Sequence, residues 1–91
     1  MVRSIKDFLK IELTSLENKV LDFISNFLGF NKDQLDLDSG LSNPSEWDSM
    51  KHTMLIIELE NFFEISFDFE ELDKIVTVRE IIKSLKKKGI K

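Results

Sequence analysis

The sequence predicts an all-α fold, a small four-helix bundle of three longer helices and one short helix. Apolar residues recur at helical spacing in three stretches, and typical capping residues precede several of them. No two stretches alternate apolar and polar residues as a pair of strands would. With 91 residues, of which 42% are hydrophobic and 33% charged, the chain suits a single soluble domain.

The first predicted helix begins at a capping box made by Thr14 and Glu17. Gly29 can end it, because glycine readily adopts the left-handed conformation that closes a helix. Between these residues an apolar stripe repeats at the spacing of one helix face: Leu16, Val20, Phe23, Ile24, Phe27 and Leu28.

A long connection, residues 29–47, leads to the second long helix. Loops of this length are uncommon in small domains and are often functional. Four apolar residues are expected to anchor the connection across the bundle: Phe30, Leu35, Leu37 and Leu41.

The second long helix is predicted over residues 49–64 and carries two apolar stripes. The narrow stripe, here termed the methionine ridge, consists of Met50, Met54 and Ile57. Either the helix is buried on both sides, or the ridge is an exposed docking surface for partner proteins, together with the nearby charges of Lys51, Glu58 and Glu60. The broad stripe suits the core and consists of His52, Leu55, Ile56, Leu59, Phe62 and Phe63.

Asp68 and Glu71 form a second capping box, which predicts a short helix running to about Asp73. The residues before it alternate apolar and polar, which is typical of a short strand or of an aromatic-anchored turn. We favour the turn, because a lone strand would have no partner elsewhere in the sequence. The alternating apolar residues are Phe63, Ile65, Phe67 and Phe69.

Thr77 and Glu80 form a third capping box and open the last long helix, which Gly89 can end. The basic residues at the end of this helix complement the negative end of the helix dipole. Its apolar face contains Val78, Ile81, Ile82 and Leu85.

We expect residues 1–13 to be an N-terminal extension, residues 14–88 the domain and residues 89–91 a short tail. The extension mixes apolar and basic residues, so it is either an amphipathic segment for a membrane or a partner, or an extension packed on the bundle. No apolar run reaches the length of a membrane span, and the start lacks the apolar stretch of a signal peptide. These features predict a cytoplasmic protein without stable membrane insertion.

The composition argues against several kinds of chemistry. The chain has no cysteine, so disulfides, thiolate metal sites and a cysteine nucleophile are excluded. The single histidine, His52, cannot by itself form a histidine-rich metal site, and we expect no metal. Residues 33–73 hold twelve acidic residues and one basic residue, whereas residues 74–91 hold seven basic residues and one acidic residue. The acidic middle should attract basic partners and repel nucleic acid.

Ser49 stands where the polar stretch SEWD meets the apolar second helix. At the first turn of a helix, unpaired backbone N–H groups and the helix dipole favour a bound or attached anion. No glutamate follows three residues after Asp48 or Ser49, so no capping box uses these N–H groups. The alternative interpretation is that Asp48 or Ser49 is an ordinary N-cap.

Asp48, Ser49 and Met50 form a D-S-M tripeptide, and further residues follow it in a fixed order: Leu55, Leu59, Glu60, Phe63, Ile65 and the stretch TVREII at residues 77–82. With this pattern, residues 14–88 resemble the acyl (or peptidyl) carrier protein family, whose mark is D-S-[L/M] at the start of the second helix. The ordered string is a more specific signal than the tripeptide alone.

The resemblance implies that a phosphopantetheinyl transferase, using coenzyme A and Mg²⁺, converts the Ser49 hydroxyl into a phosphodiester bearing a 4′-phosphopantetheine arm. Asp48 belongs to the same motif at the helix start. The thiol of the arm would carry an acyl or aminoacyl group as a thioester between biosynthetic enzymes, and the protein itself would have no catalytic activity. The implied partners of this monomer are the transferase, an acyl- or aminoacyl-activating ligase and a downstream acyltransferase or synthase, in fatty acid, polyketide or nonribosomal peptide biosynthesis.

Lys51, His52 and Met54 depart from the strongly acidic helix of the fatty-acid members. Trp47 before the motif, with Lys51 and His52 after it, is more similar to stand-alone carriers loaded by a dedicated adenylating ligase, or to carrier domains of nonribosomal peptide assembly. A cofactor-free interaction module that uses the methionine ridge is the alternative function. A hydrolase with Asp48, Ser49 and His52 as a triad is disfavoured, because Asp48 at the cap cannot easily orient the far nitrogen of His52.

Overall fold

Three α-helices form the framework of the protein in the computed structural model, which describes residues 14–91: α1 (Ser15–Leu28), α2 (Ser49–Phe63) and α3 (Val78–Lys87). Two 3-10 turns, Lys32–Gln34 and Phe69–Glu71, lie in the connections. The described residues contain no β-strand, so the predicted all-α class is confirmed. The predicted N-terminal extension, residues 1–13, lies outside the described residues.

The predicted short fourth helix is not confirmed, because the segment after Asp68 forms one 3-10 turn that ends at Glu71 and does not run to about Asp73. Two of its backbone hydrogen bonds span three residues, from the Glu71 N–H to the Asp68 carbonyl (2.9 Å) and from the Leu72 N–H to the Phe69 carbonyl (3.3 Å). The Phe69 and Leu72 side chains are exposed, so no buried stripe stabilises a longer helix here. Within the described residues the bundle therefore has three helices.

The predicted capping boxes form to different extents. Both hydrogen bonds of the Thr14–Glu17 box are present, at 3.1 and 2.6 Å, and Gly29 ends α1 in the left-handed region with φ at 77°. At α3 the Glu80 N–H donates to Thr77 Oγ1 at 3.2 Å, and the structure records no reciprocal bond from the Glu80 carboxylate. The predicted boundaries of α1 are thus confirmed.

The core lies where the three helices meet and is closed on one side by the long connection. The predicted anchors of that connection are confirmed, since Leu35 is buried and the other three pack partly against the core. The apolar pattern does not predict the burial of Trp47 at the end of the connection. The largest fully buried side chains are Trp47, Ile24, Leu55, Leu59, Ile75, Ile81, Leu85, Val20 and Val78.

The long connection also completes the start of α3. The Ser39 carbonyl accepts the Val78 N–H, and the Leu37 carbonyl accepts the Arg79 N–H, both at 2.8 Å. These are the first two N–H groups of α3, which have no acceptor within the helix itself. The main chain of the connection therefore satisfies the beginning of the last helix.

Gly40 allows the connection to come this close. A Cβ atom at this position would lie 2.0 Å from the carbonyl oxygen of Val76, which is far inside van der Waals contact. The Leu41 N–H next to it donates to the same carbonyl at 2.9 Å. A side chain at position 40 would therefore separate the connection from α3.

Glu71 joins the second 3-10 turn to α3. Its carboxylate accepts hydrogen bonds from the Asp68 N–H (2.7 Å), from the Lys88 ammonium group (2.8 Å) and from the Ser84 hydroxyl. These donors favour the charged form and lower the pKa of Glu71 to about 2, with Lys88 contributing most. A depressed carboxyl pKa adds stability that is fully present above the unfolded-state value of 4.5 and is lost as the pH falls through about 2.

We expect Glu71→Gln to lower the free energy of unfolding at neutral pH by about 1.5 kcal/mol, because a neutral amide replaces a carboxylate that accepts charge-assisted hydrogen bonds. The difference from the wild type should shrink as the pH falls from 4.5 towards about 2, where the wild-type carboxylate is itself protonated. Urea unfolding followed by circular dichroism at several pH values measures it. Glu70→Gln, an exposed neighbour, is the matched control, and an equal, pH-independent loss in both variants would contradict the prediction.

Candidate functional site

Asp48 caps the start of α2, where it lies just before the helix in an extended conformation. Its Oδ1 accepts the Lys51 N–H and its carbonyl accepts the His52 N–H, both at 2.9 Å. Ser49 is therefore the first residue of α2 and not its cap. Of the two N-cap candidates in the sequence, Asp48 takes that position.

Ser49 is exposed, and within residues 14–91 its hydroxyl has no hydrogen-bond partner. The N–H groups of Ser49 and Met50 come before the first intrahelical bond of α2, so the helix offers them no acceptor. The positive end of the helix dipole lies at the same place. A negatively charged group attached to the Ser49 oxygen would therefore be stabilised where it stands.

The start of α2 differs in this respect from the start of α3. The first two N–H groups of α3 donate to carbonyl groups of the long connection. Among the described residues, no carbonyl of another segment accepts a hydrogen bond from the Ser49 or Met50 N–H. Unlike the first turn of α3, the first turn of α2 thus remains open to an added anion.

His52 is not placed to act as a general base for Ser49. Its imidazole is buried, its Nδ1 accepts the Trp47 Nε1–H at 3.0 Å, and its Nε2 lies 3.1 Å from the Ile75 carbonyl oxygen. Burial lowers the pKa of His52, and the hydrogen bond to Ile75 opposes this with a smaller effect. Since both ring nitrogens are occupied, the geometry does not support a triad of Asp48, Ser49 and His52.

The methionine ridge is exposed in the described part of the chain. The Met50, Met54 and Ile57 side chains are 73%, 52% and 51% exposed. On the opposite face of α2 the residues are buried: His52, Leu55, Ile56 and Leu59. Of the two interpretations of α2, the one with an exposed ridge is therefore observed.

The prediction for Phe62 is wrong. Helical spacing places it on the broad stripe, but its side chain is 53% exposed. Phe62 follows Leu59, the last buried residue of α2, and its ring rests on Phe23 of α1 with the ring centroids 4.8 Å apart. The end of α2 thus carries an aromatic pair at the edge of the core.

The three charged residues beside the ridge are placed differently. Glu58 is exposed. Glu60 is half-buried, and its Oε2 accepts the Phe67 N–H at 2.9 Å, so it stabilises the turn that follows α2. The Lys51 ammonium group lies 5.9 Å from the centroid of the Phe30 ring, within the range of a cation–π interaction. Glu58 is the member of this set whose charge is most accessible to a partner.

The apolar surface of the ridge continues across a groove to residues that the sequence reasoning did not select. Ile57, Phe67 and Leu72 are among the residues that line this groove, which has a volume of about 270 Å³. Leu72 is 41% exposed, and Phe69 on the same 3-10 turn is 86% exposed. Their spacing of three residues, which places side chains on one side of a 3-10 turn, is the signal that could have identified them.

No three histidine, aspartate or glutamate residues within residues 14–91 are grouped so that they could hold a metal ion. Among the helices described, none combines the length and the apolar character needed to cross a membrane.

Comparisons with known proteins agree with the motif at the start of α2. The family model described as "Phosphopantetheine attachment site" matches residues 18–85. The chain is 38% identical over 73 residues to the acyl carrier proteins of Chlorobium phaeobacteroides and Chlorobium phaeovibrioides, which covers 80% of this chain and 94% of each of those proteins. It is 36% identical over 59 residues to the D-alanyl carrier protein of Lactococcus lactis subsp. cremoris, covering 65% of this chain and 75% of that protein.

Because the methionine ridge is exposed, we expect the fold to tolerate a charged side chain there. Met54→Glu should keep the helical content and the melting temperature close to those of the wild type, because the new carboxylate stays in water. Leu55→Glu, one residue further along α2, should lower the free energy of unfolding by about 3–5 kcal/mol, because it buries an unpaired carboxylate. Circular dichroism and thermal melting of both variants measure this, and a collapse of Met54→Glu would contradict the observed exposure.

Proposed function

Because the chain belongs to the acyl and peptidyl carrier protein family and carries a covalent 4′-phosphopantetheine, we propose that Ser49 bears this group and that the group holds an acyl or aminoacyl cargo. The observation that carries the proposal is the unbonded, exposed hydroxyl of Ser49 at the open start of α2. When bound, phosphopantetheine supplies a thiol, which the cysteine-free chain lacks, for holding the cargo as a thioester.

The residues at the start of α2 fit a phosphate ester. The N–H groups of Ser49 and Met50 are free of intrahelical partners, and the helix dipole favours a negative charge at this end. Asp48 keeps the helix start in place through its bond to the Lys51 N–H at 2.9 Å. The Asp48 carboxylate accepts this one N–H group and, within residues 14–91, leaves those of Ser49 and Met50 without a partner.

Neighbouring hydroxyl groups are less suited to the role. The Thr53 hydroxyl donates to the Ser49 carbonyl at 3.0 Å, and the Ser45 hydroxyl lies 3.4 Å from the Glu46 carboxylate. Ser45 also precedes α2 and lacks the free N–H groups of a helix start. Among the hydroxyl groups around the D-S-M motif, that of Ser49 combines exposure, freedom from hydrogen bonds and a favourable electrostatic position.

We propose that partner enzymes dock on the methionine ridge. Met50 lies next to Ser49, and the ridge continues along α2 to Ile57, so a partner that covers it would hold the end of the arm within reach of its own active site. Unbranched methionine side chains can adapt to several partners. The implied partners are a phosphopantetheinyl transferase, an acyl- or aminoacyl-activating ligase and a downstream acyltransferase or synthase. In this scheme the carrier supplies reach and recognition, and the partners supply the catalysis.

The cargo on the phosphopantetheine arm is either an acyl or an aminoacyl group. The similar proteins include acyl carriers and a D-alanyl carrier, and each name describes that protein alone. Cleavage of the thioester by hydroxylamine on protein isolated from its source, followed by mass spectrometry of the released hydroxamate, identifies the cargo. A cofactor-free interaction module, the alternative from the sequence, does not agree with membership of a phosphopantetheine-bearing family.

The attachment residue is tested by intact-protein mass spectrometry after incubation with coenzyme A, Mg²⁺ and a promiscuous phosphopantetheinyl transferase. We expect the wild type and Ser45→Ala to gain the mass of one phosphopantetheine, and Ser49→Ala to gain none, because it lacks the ester oxygen. Ser45 is a suitable control, since it is an exposed serine close to the motif. Modification of Ser49→Ala, or failure of the wild type to be modified, would overturn the assignment.

The docking role of the ridge is tested with the same assay. Met54→Glu should slow loading about tenfold, equivalent to ~1.4 kcal/mol of lost transition-state binding, because a hydrated carboxylate replaces an apolar contact. Met54→Leu should load at nearly the wild-type rate, since it keeps the apolar character. Equal rates for all three proteins would show that the transferase does not use this part of the ridge.

A further inference from the structure

The single tryptophan and the single histidine of the chain are joined by a hydrogen bond inside the fold. Trp47 is fully buried, and its indole Nε1–H donates to His52 Nδ1 at 3.0 Å. The other ring nitrogen of His52, Nε2, lies 3.1 Å from the carbonyl oxygen of Ile75. We refer to this chain of two hydrogen bonds as the Trp47–His52–Ile75 link.

The partners of His52 determine its protonation state. An indole N–H can only donate, and a backbone carbonyl can only accept. His52 therefore accepts at Nδ1 and donates from Nε2, which is the neutral Nε2–H form of the ring. A second proton on Nδ1 would face the Trp47 N–H, and two donors cannot form a hydrogen bond with each other.

The link joins the start of α2, which carries Ser49, to two other segments of the chain. Trp47 lies two residues before Ser49 and holds the end of the long connection, where its carbonyl accepts the Ser42 N–H at 2.8 Å. His52 lies three residues after Ser49, in the first turn of α2. Ile75 is buried in the segment that leads into α3. Ser49 is thus bracketed by the two side chains that tie the start of α2 to the rest of the fold.

We infer that Trp47 and His52 are positioning residues for Ser49, and that proton uptake by His52 breaks the link and loosens the start of α2. The positioning role rests on the proposed function of Ser49, whereas the response to protons depends on the link alone. The long connection would then be released from α2 at the point where Trp47 donates, while the buried apolar face of α2 stays in the core.

Burial is the main influence on the pKa of His52, and charged groups of the adjoining elements are not among its causes. Glu60 and His52 line the same groove, but the Glu60 Oε2 accepts a hydrogen bond from the Phe67 N–H. The charged residues within two positions of Trp47, His52 or Ile75 are Lys51 on α2, Glu46 and Asp48 beside Trp47, and Asp73 and Lys74 before Ile75. Burial lowers the pKa of His52 below 6.5, so the link is complete above that value and is lost as the pH falls through the lower, folded-state pKa.

The first test uses the apo protein and needs no transferase. Nuclear magnetic resonance gives one indole N–H signal and one set of imidazole signals, because each residue type occurs once. Between about pH 8 and about pH 5, we expect the imidazole to change from the Nε2–H form to the doubly protonated form below pH 6.5, with the indole signal moving at the same midpoint. An imidazole that titrates at or above 6.5, or an indole signal that does not follow it, would overturn the link.

The second test compares the loading rates of the wild type and His52→Gln over the same pH range. Glutamine carries an acceptor and a donor on one planar group and does not titrate, and the pH dependence of the transferase cancels in the ratio of the two rates. We expect this ratio to fall to half its plateau value at the midpoint measured for the indole signal. Trp47→Phe should load more slowly than the wild type at the plateau and should not show this transition.

The outcomes separate the inference from the proposed function. A ratio that is independent of pH, in proteins that are loaded, would overturn the positioning role and leave the assignment of Ser49 intact. Absence of loading in all proteins at every pH would overturn the assignment of Ser49 and the positioning role together. In that case the resonance titration still decides whether the link responds to protons.

Discussion

Every α-helix begins with backbone N–H groups that its own turns leave without acceptors, and the three helices described in residues 14–91 meet that constraint differently. α1 uses a side-chain capping box, and α3 uses carbonyl groups of the long connection. α2 has the side chain of Asp48, which accepts one N–H and leaves those of Ser49 and Met50. Two unused donors therefore remain beside the serine of the D-S-M motif, where an anionic ester gains from them.

The segment after α2 determines how much apolar surface is exposed beside that helix. It forms one 3-10 turn and leaves Phe69 and Leu72 exposed. Glu71 holds this turn against α3 through its hydrogen bonds to Ser84 and Lys88. Ile57 of α2 and Leu72 next to the turn line the same groove, and both side chains are exposed.

Local patterns in the sequence predicted most of the fold, and long-range contacts account for the rest. The capping box at Thr14 and the apolar repeat that follows it depend on residues within a few positions of each other, and α1 formed as predicted. The second capping box, at Asp68, was misleading, because the Glu71 carboxylate also bonds to α3 and the segment has no buried stripe. The spacing of apolar residues predicted the two stripes of α2 but not whether the narrow stripe would be buried or exposed.

The D-S-M motif predicted Ser49 as the candidate site, but the sequence did not predict the contacts of the residues around it. Trp47 donates a hydrogen bond to His52, and Gly40 lies against Val76. No local sequence pattern indicates either of these pairings. His52 in particular was assigned to the apolar stripe or to a catalytic triad, whereas it serves as a buried polar partner.

The burial of Trp47 has a practical consequence for following this protein in solution. The chain has no tyrosine and one tryptophan, so nearly all of its near-ultraviolet absorption and fluorescence comes from a single indole ring two residues before Ser49. That ring is shielded from water and hydrogen-bonded to an imidazole, so its emission reports the packing at the start of α2 without an added label. The carrier thus contains its own optical probe two residues from the serine of the D-S-M motif.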